Sequence, residues 1–180
     1  MSLNIRQYCL SVWTILDPIY YHFSRLQHIK KACGNQTIMR IRLTKYKGRH
    51  IVLSDGTAIH KNDVLVKIHL HNVQLLKQIQ RYDSEVKKAF MIYKSVEESL
   101  PFITHYILKH HQNENIKGLI GITTLYKGCK KLGFEAHSIK NPFYKCFKRL
   151  ALFPIYFLSS KNSIKKKFQL PCIYSCRKRY

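Results

Sequence analysis

The chain has 180 residues, 32 of them Lys or Arg against 9 Asp or Glu, which gives a formal net charge of +23 with neutral histidines; 46% of residues are apolar, with nine Phe, twelve Tyr and one Trp. That length suits one domain burying roughly 68–70% of its unfolded surface, and the apolar content excludes a disordered chain. No stretch reaches the roughly 18 apolar residues of a membrane span, and the six cysteines include no C-x-x-C pair, so a zinc ribbon or thioredoxin-type site is excluded on spacing.

The first element reads as helix. Cys9, Val12, Trp13, Leu16, Tyr20, Phe23 and Leu26 or Gln27 recur at steps of three and four. The apolar run Cys9 to Leu16 is short and lacks a small-x-small cleavage site, so no export signal is expected. Asp17-Pro18 implies a kink or two abutting helices, with Asp17 as a cap. The stripe reads as core packing; a membrane-interfacial face, supported by Tyr8, Trp13, Tyr20 and Tyr21, is the alternative.

Three or four strands in meander order are expected between Thr37 and Leu70. Met39, Ile41 and Leu43 face one way, Arg40, Arg42 and Thr44 the other, and Tyr46 to Arg49 turns the chain back. Arg40 and Arg42 form a cationic patch that is either a solvated sheet face or a phosphate site. Asp55-Gly56 and Lys61-Asn62-Asp63 mark turns, after which Val64, Val66, Ile68 and Leu70 alternate with Leu65, Lys67, His69 and His71. His69 and His71 would lie about 6.5–7 Å apart at the backbone, close enough to share a metal. A third ligand would have to come from His60, Asp55 or Asp63, and Lys67 on the same face would repel a cation. His69, His71, Asn72, Asp55 and Asp63 are therefore the candidate functional face, with no metal and no cofactor expected.

Asn72 is expected to cap a short helix through Ile79, and Asp83 or Ser84 a longer one with the stripe Val86, Ala89, Phe90, Tyr93, Val96 and Leu100. Ser99-Leu100-Pro101 is expected to restart the pattern as a third helix, with Ile103, Tyr106, Ile107 and His110. The continuous apolar run Gly118 to Ile122 predicts a central strand covered on both faces. Thr124 can cap the next helix and Gly133 end it, Phe134 begins another strand, and Asn141-Pro142 opens a last helix bearing Phe143, Cys146, Phe147 and Leu150. Cys9, Cys129 and Cys146 are expected at buried apolar positions, and reduced thiols in a cytoplasmic setting suit the cysteine pattern.

Residues 136–180 carry eleven basic side chains and no acidic one. The division expected is a domain over 1–158 and a loosely ordered basic extension over 159–180. Its clusters Lys165, Lys166, Lys167 and Arg177, Lys178, Arg179, with Arg40 and Arg42, are the candidate polyanion-binding residues. Such a field attracts anionic lipid, envelope polymer or nucleic acid without choosing among them, and sequence-independent nucleic-acid binding in vitro is expected. The same excess of Lys, Ile, Asn and Tyr also fits a biased base composition.

Catalytic signatures are sparse. The nine carboxylates fall mostly at caps, turns and helix exteriors, there is no G-x-S-x-G elbow, and Gly118 to Gly121 lacks both phosphate-loop spacings. Thr124 to Glu135 faintly resembles the late segment of acetyl-CoA-dependent N-acetyltransferases, but Ile116 to Thr123 lacks the glycine-rich turn that would cradle a pyrophosphate.

Over WTILDPIYYHFSRLQ (Trp13 to Gln27), Leu43 to Asn72 and Lys117 to Glu135, the chain resembles the YkoP-like family of small proteins from spore-forming Gram-positive bacteria. The likeness implies a whole domain rather than a catalytic motif. Similar domains occur with polysaccharide deacetylases, which implies a place near envelope glycan metabolism. The deacetylase's own Thr-Phe-Asp-Asp and paired histidines are absent here. The reading is a single α+β domain, with a mixed, mostly antiparallel sheet covered by helices. It is a non-catalytic accessory or binding module, cytoplasmic or peripheral at the inner membrane face, that docks on an anionic surface. Two alternatives stand beside it, an enzyme using the His69 and His71 face and a scaffold partner of an envelope polysaccharide enzyme.

Overall fold

The computed structural model describes residues 2–31, 33–112, 114–123, 126–159 and 172–176. Helix α1 (Ser2–Phe23) leads through a sharp reversal at Arg25, whose φ is 49°, into strand β1 (Gln27–Lys30). Strand β2 (Gln36–Lys45) follows, then β3 (Ile51–Val52), β4 (Ala58–Ile59) and β5 (Val64–Leu70). Helices α2 (Asn72–Ile79) and α3 (Glu85–His110), strand β6 (Ile116–Thr123), the short α4 (Tyr126–Cys129) with a 3-10 turn, β7 (Phe134–Ser138), α5 (Pro142–Ser159) and β8 (Cys172–Cys176) complete the order.

Six strands form one sheet in the order β1-β2-β5-β6-β8-β7, antiparallel throughout except for the β5–β6 pair. The architecture is the expected α+β domain with a mixed, mostly antiparallel sheet and covering helices.

Side-chain alternation divides the sheet into two unlike faces. On one, Met39, Ile41 and Leu43 of β2 stand beside Leu70, Ile68 and Val66 of β5. Helix α3 packs over β1 and β2 on this side, and Ile29, Met39, Ile41, Val66, Ile103 and Ile107 form the buried main core. The other face is split. Leu65 and Ile120 pack with Tyr46, Leu53 and Ile59 under the β3–β4 hairpin, whereas across β1, β2 and β5 this face also carries His28, Arg40, Arg42, Lys67 and His69. At Gly48 an added Cβ would overlap the buried Tyr46 ring, so the turn after β2 needs glycine to close over this second cluster.

Five expectations require correction. The meander does not form, because β2 pairs directly with β5 and β3–β4 is a separate two-stranded ribbon. Gln27, assigned to the helix stripe, begins β1, since the chain leaves helical geometry at Arg25. Proline does not split α3: the helix runs through Pro101 to His110, and Ser99 turns its hydroxyl back to the Ser95 carbonyl at 2.6 Å. Residues 172–176, placed in a loosely ordered extension, form β8 between β6 and β7, and the strand-favouring pair Ile173-Tyr174 suits that role. Finally, Cys146 is exposed, and so are Val86 and Phe90 in the first turns of α3.

Candidate functional site

Strand register builds the polar half of the second sheet face. His28 of β1 stands opposite Arg40 of β2, and Arg40 opposite His69 of β5. One step along, Arg42 stands opposite Lys67. Two adjacent cross-strand rows therefore bring together two arginines, a lysine and two histidines.

Helix α1 closes one end of these rows. Asp17 accepts from both terminal nitrogens of Arg40, at 3.0 and 2.5 Å, and Arg40 is only 4% exposed. Arg40 also lies over the Tyr21 ring, 5.1 Å from its centroid, and Tyr21 contacts His28 at 4.6 Å between centroids. The His71 ring joins the same carboxylate, with Nε2 3.1 Å from Asp17 Oδ2 and Nδ1 3.0 Å from Gln74 Oε1. Burial by itself would raise the pKa of Asp17, but the hydrogen bonds and charge of Arg40, with those of His71, outweigh it and leave the carboxyl below its usual range. Asp17, expected as a helix cap, instead ties α1 to the sheet.

Helix α5 brings Lys148 to the other end. Its ammonium lies 5.4 Å from the Tyr144 ring and 5.5 Å from the Phe147 ring. Burial, then the charges of Lys148 and Arg42, push Lys67 down to about 8. Burial and the same cations push His69 down to about 3, so this imidazole is neutral at ordinary pH. Lys148 is lowered by burial and by Arg42. His28 is lowered by burial first and then by Arg40 and His71.

The expected histidine face is thus only partly assembled as imagined. His69 faces the sheet's cationic rows, while His71 lies just beyond β5 at the cap position of α2 and Asn72 is the first residue of that helix. Asp55 and Asp63 are occupied elsewhere: Asp55 accepts from the Thr57 amide and Asp63 from the His60 amide, each closing its own turn. Among the described residues no group of three His, Cys, Asp or Glu is placed to hold a metal. Arg40 and Arg42 fall on the described polar face, whereas Lys165, Lys166, Lys167, Arg177, Lys178 and Arg179 lie outside the described residues. His28, Lys67 and Lys148 complete the site without having been singled out for it. The alternation of β2 and β5 placed Lys67 on the face of His69, but only the pairing of those two strands sets it against Arg42.

Exposed apolar side chains line one side of α1 and of the first half of α5. Tyr8, Val12, Ile15, Leu16, Ile19 and Phe23 are exposed along α1 at steps of three and four, a stripe about 100° wide. Asp17 and Tyr21, on the opposite side of that helix, point to the sheet. Along α5, Phe143, Phe147 and Leu150 are exposed while Lys148 is half-buried and acts electrostatically on Lys67 of the sheet. Both helices thus carry their polar contacts inside and their apolar stripe outside, and they pack beside one another.

Residues 6–173 match the family model described as the YkoP domain. The chain is also 52% identical to the uncharacterized protein YkoP of Bacillus subtilis (strain 168) over 152 residues, covering 84% of this chain and 82% of that protein. No solved structure matches it. On both the family match and this relative, the chain belongs to the YkoP domain family.

Proposed function

We propose that the protein is a non-catalytic peripheral module that docks on an anionic membrane surface, from the cytoplasmic side, through α1 and α5. The observation that carries this reading is the inverted amphipathicity of the two helices: Phe23 is 82% and Phe143 86% exposed, while Asp17 and Lys148 are turned to the sheet. Water disfavours such stripes, whereas a bilayer interface accepts them, and each large apolar side chain inserted contributes roughly 1.5–3 kcal/mol. A net charge of +23 supplies attraction to anionic headgroups. No described helix is long and apolar enough to cross the membrane, so the mode proposed is lying on the surface.

Sedimentation with phosphatidylglycerol-containing and pure phosphatidylcholine vesicles across a salt series tests it. Binding to the anionic vesicles should weaken as salt screens the charges. It should also fall at least tenfold on replacing Ile15 and Ile19, or Phe143 and Phe147, by Ser. Equal binding to neutral vesicles, or indifference to both pairs of substitutions, would refute the reading. The basic clusters are better neutralised than deleted, because removing residues 159–180 would also remove β8.

A further inference from the structure

Like charges placed directly opposite one another on neighbouring strands destabilise a sheet. This fold nonetheless sets Arg42 against Lys67 in register, and half-buried Lys148 of α5 lies within electrostatic reach of both. All three side chains are half-buried, so solvent screens them incompletely. None pairs with a described carboxylate; Asp17, on α1, is committed to Arg40 and His71. Arg42 is held by one terminal nitrogen, which donates to the Ser24 carbonyl at 3.2 Å, while its Nε is buried without a hydrogen-bond partner among the described residues.

We infer that Arg42, Lys67 and Lys148 form a binding site for a phosphate group, with His69 as its polar neighbour on β5. Three converging cations suit an anion of charge near −2 with several acceptor oxygens better than a single carboxylate, which would leave two charges uncompensated. Arginine supplies a planar donor fork and the two lysines supply movable ammonium groups. The inference stands apart from the docking reading. The phosphate could belong to a lipid headgroup beneath α1 and α5 or to a soluble phosphoester, and the experiment separates the two.

The test uses the full chain and Lys67→Met, with Lys148→Met as a second variant and Lys77→Met, on the exposed side of α2, as control. Melting temperature is followed with inorganic phosphate against chloride at equal ionic strength. Removing a repelled charge should raise the melting temperature of Lys67→Met without ligand. Phosphate should stabilise wild type and Lys77→Met saturably, with the response weakened about tenfold or more in Lys67→Met and Lys148→Met. Phosphate also stabilises proteins by exclusion from their surface; an equal response in wild type and both site variants would therefore overturn the inference. Where the site variants lose affinity for phosphatidic acid vesicles, whose headgroup is a phosphomonoester, in parallel, the source is a headgroup. If they lose soluble glycerol 1-phosphate but keep the vesicles, the site stands with a soluble ligand, and the docking reading is judged by its own apolar variants.

Discussion

Asp17 and Arg40 join α1 to the centre of the sheet through two hydrogen bonds, at 3.0 and 2.5 Å, between side chains that are 12% and 5% exposed. Removing one partner of such a pair strands the other's charge in a poorly solvated place. Asp17→Ala should therefore lower stability by about 3–5 kcal/mol in urea unfolding. A loss near zero would mean that α1 is held by its other contacts.

The same pair sets a response to acid. Asp17 has a folded value below its ordinary 3.8. Its contribution is therefore complete above about pH 4 and disappears as pH falls through the lower folded value. The stability difference between wild type and Asp17→Ala should shrink over that acid range, as read from unfolding curves at successive pH values.

Lys67 should respond at the opposite end of the scale. Its folded value is pushed down to about 8 from 10.5, so the charged form is disfavoured by folding. The penalty is complete below about pH 8 and is relieved as pH rises toward 10.5. Lys67→Met should be more stable than wild type at neutral pH, on the order of 1 kcal/mol as for a like-charge cross-strand pair. That advantage should close between pH 8 and 10.5. A constant advantage across this range would assign the effect to packing instead.

Core truncation should sort α3 into two halves. Ile103, two residues past Pro101, is fully buried against the sheet, whereas Val86 is 78% exposed. Ile103→Ala should cost about 2–5 kcal/mol, and Val86→Ala should stay within about 0.5 kcal/mol. Comparable losses at both positions would contradict the burial described.

The parts of the fold legible in the sequence were those written in local alternation. Both faces of β2 and β5 follow from Met39 to Leu43 and Val64 to Leu70, and Ser84, Gly133 and Asn141 punctuate the helices where their side chains or backbone predict. Pairing was less legible, because nothing local says that β2 skips the β3–β4 ribbon to meet β5, or that β5 and β6 run parallel across α2 and α3. β1 was hidden by continuity, since Leu26 and Gln27 extend the helical spacing of α1. β8 was hidden by composition, as five strand residues lie within a Lys- and Ser-rich stretch. For the site, Arg40 and Arg42 were visible as a patch. The roles of Asp17, His28 and Lys148 depend on helices folding over the sheet from distant parts of the chain.

Among the described residues, β7 reaches the rest of the sheet through β8, which hydrogen-bonds to β6 on one side and to β7 on the other. During synthesis, β6 must therefore wait with an open edge while more than fifty further residues, through Cys176, leave the ribosome. A nascent chain holding β1, β2, β5 and β6 already presents a hydrogen-bonding edge to any extended segment nearby. The interval between β6 and β8 is the vulnerable period in the life of this protein, when strand exchange with a neighbouring nascent copy competes with closure of its own sheet.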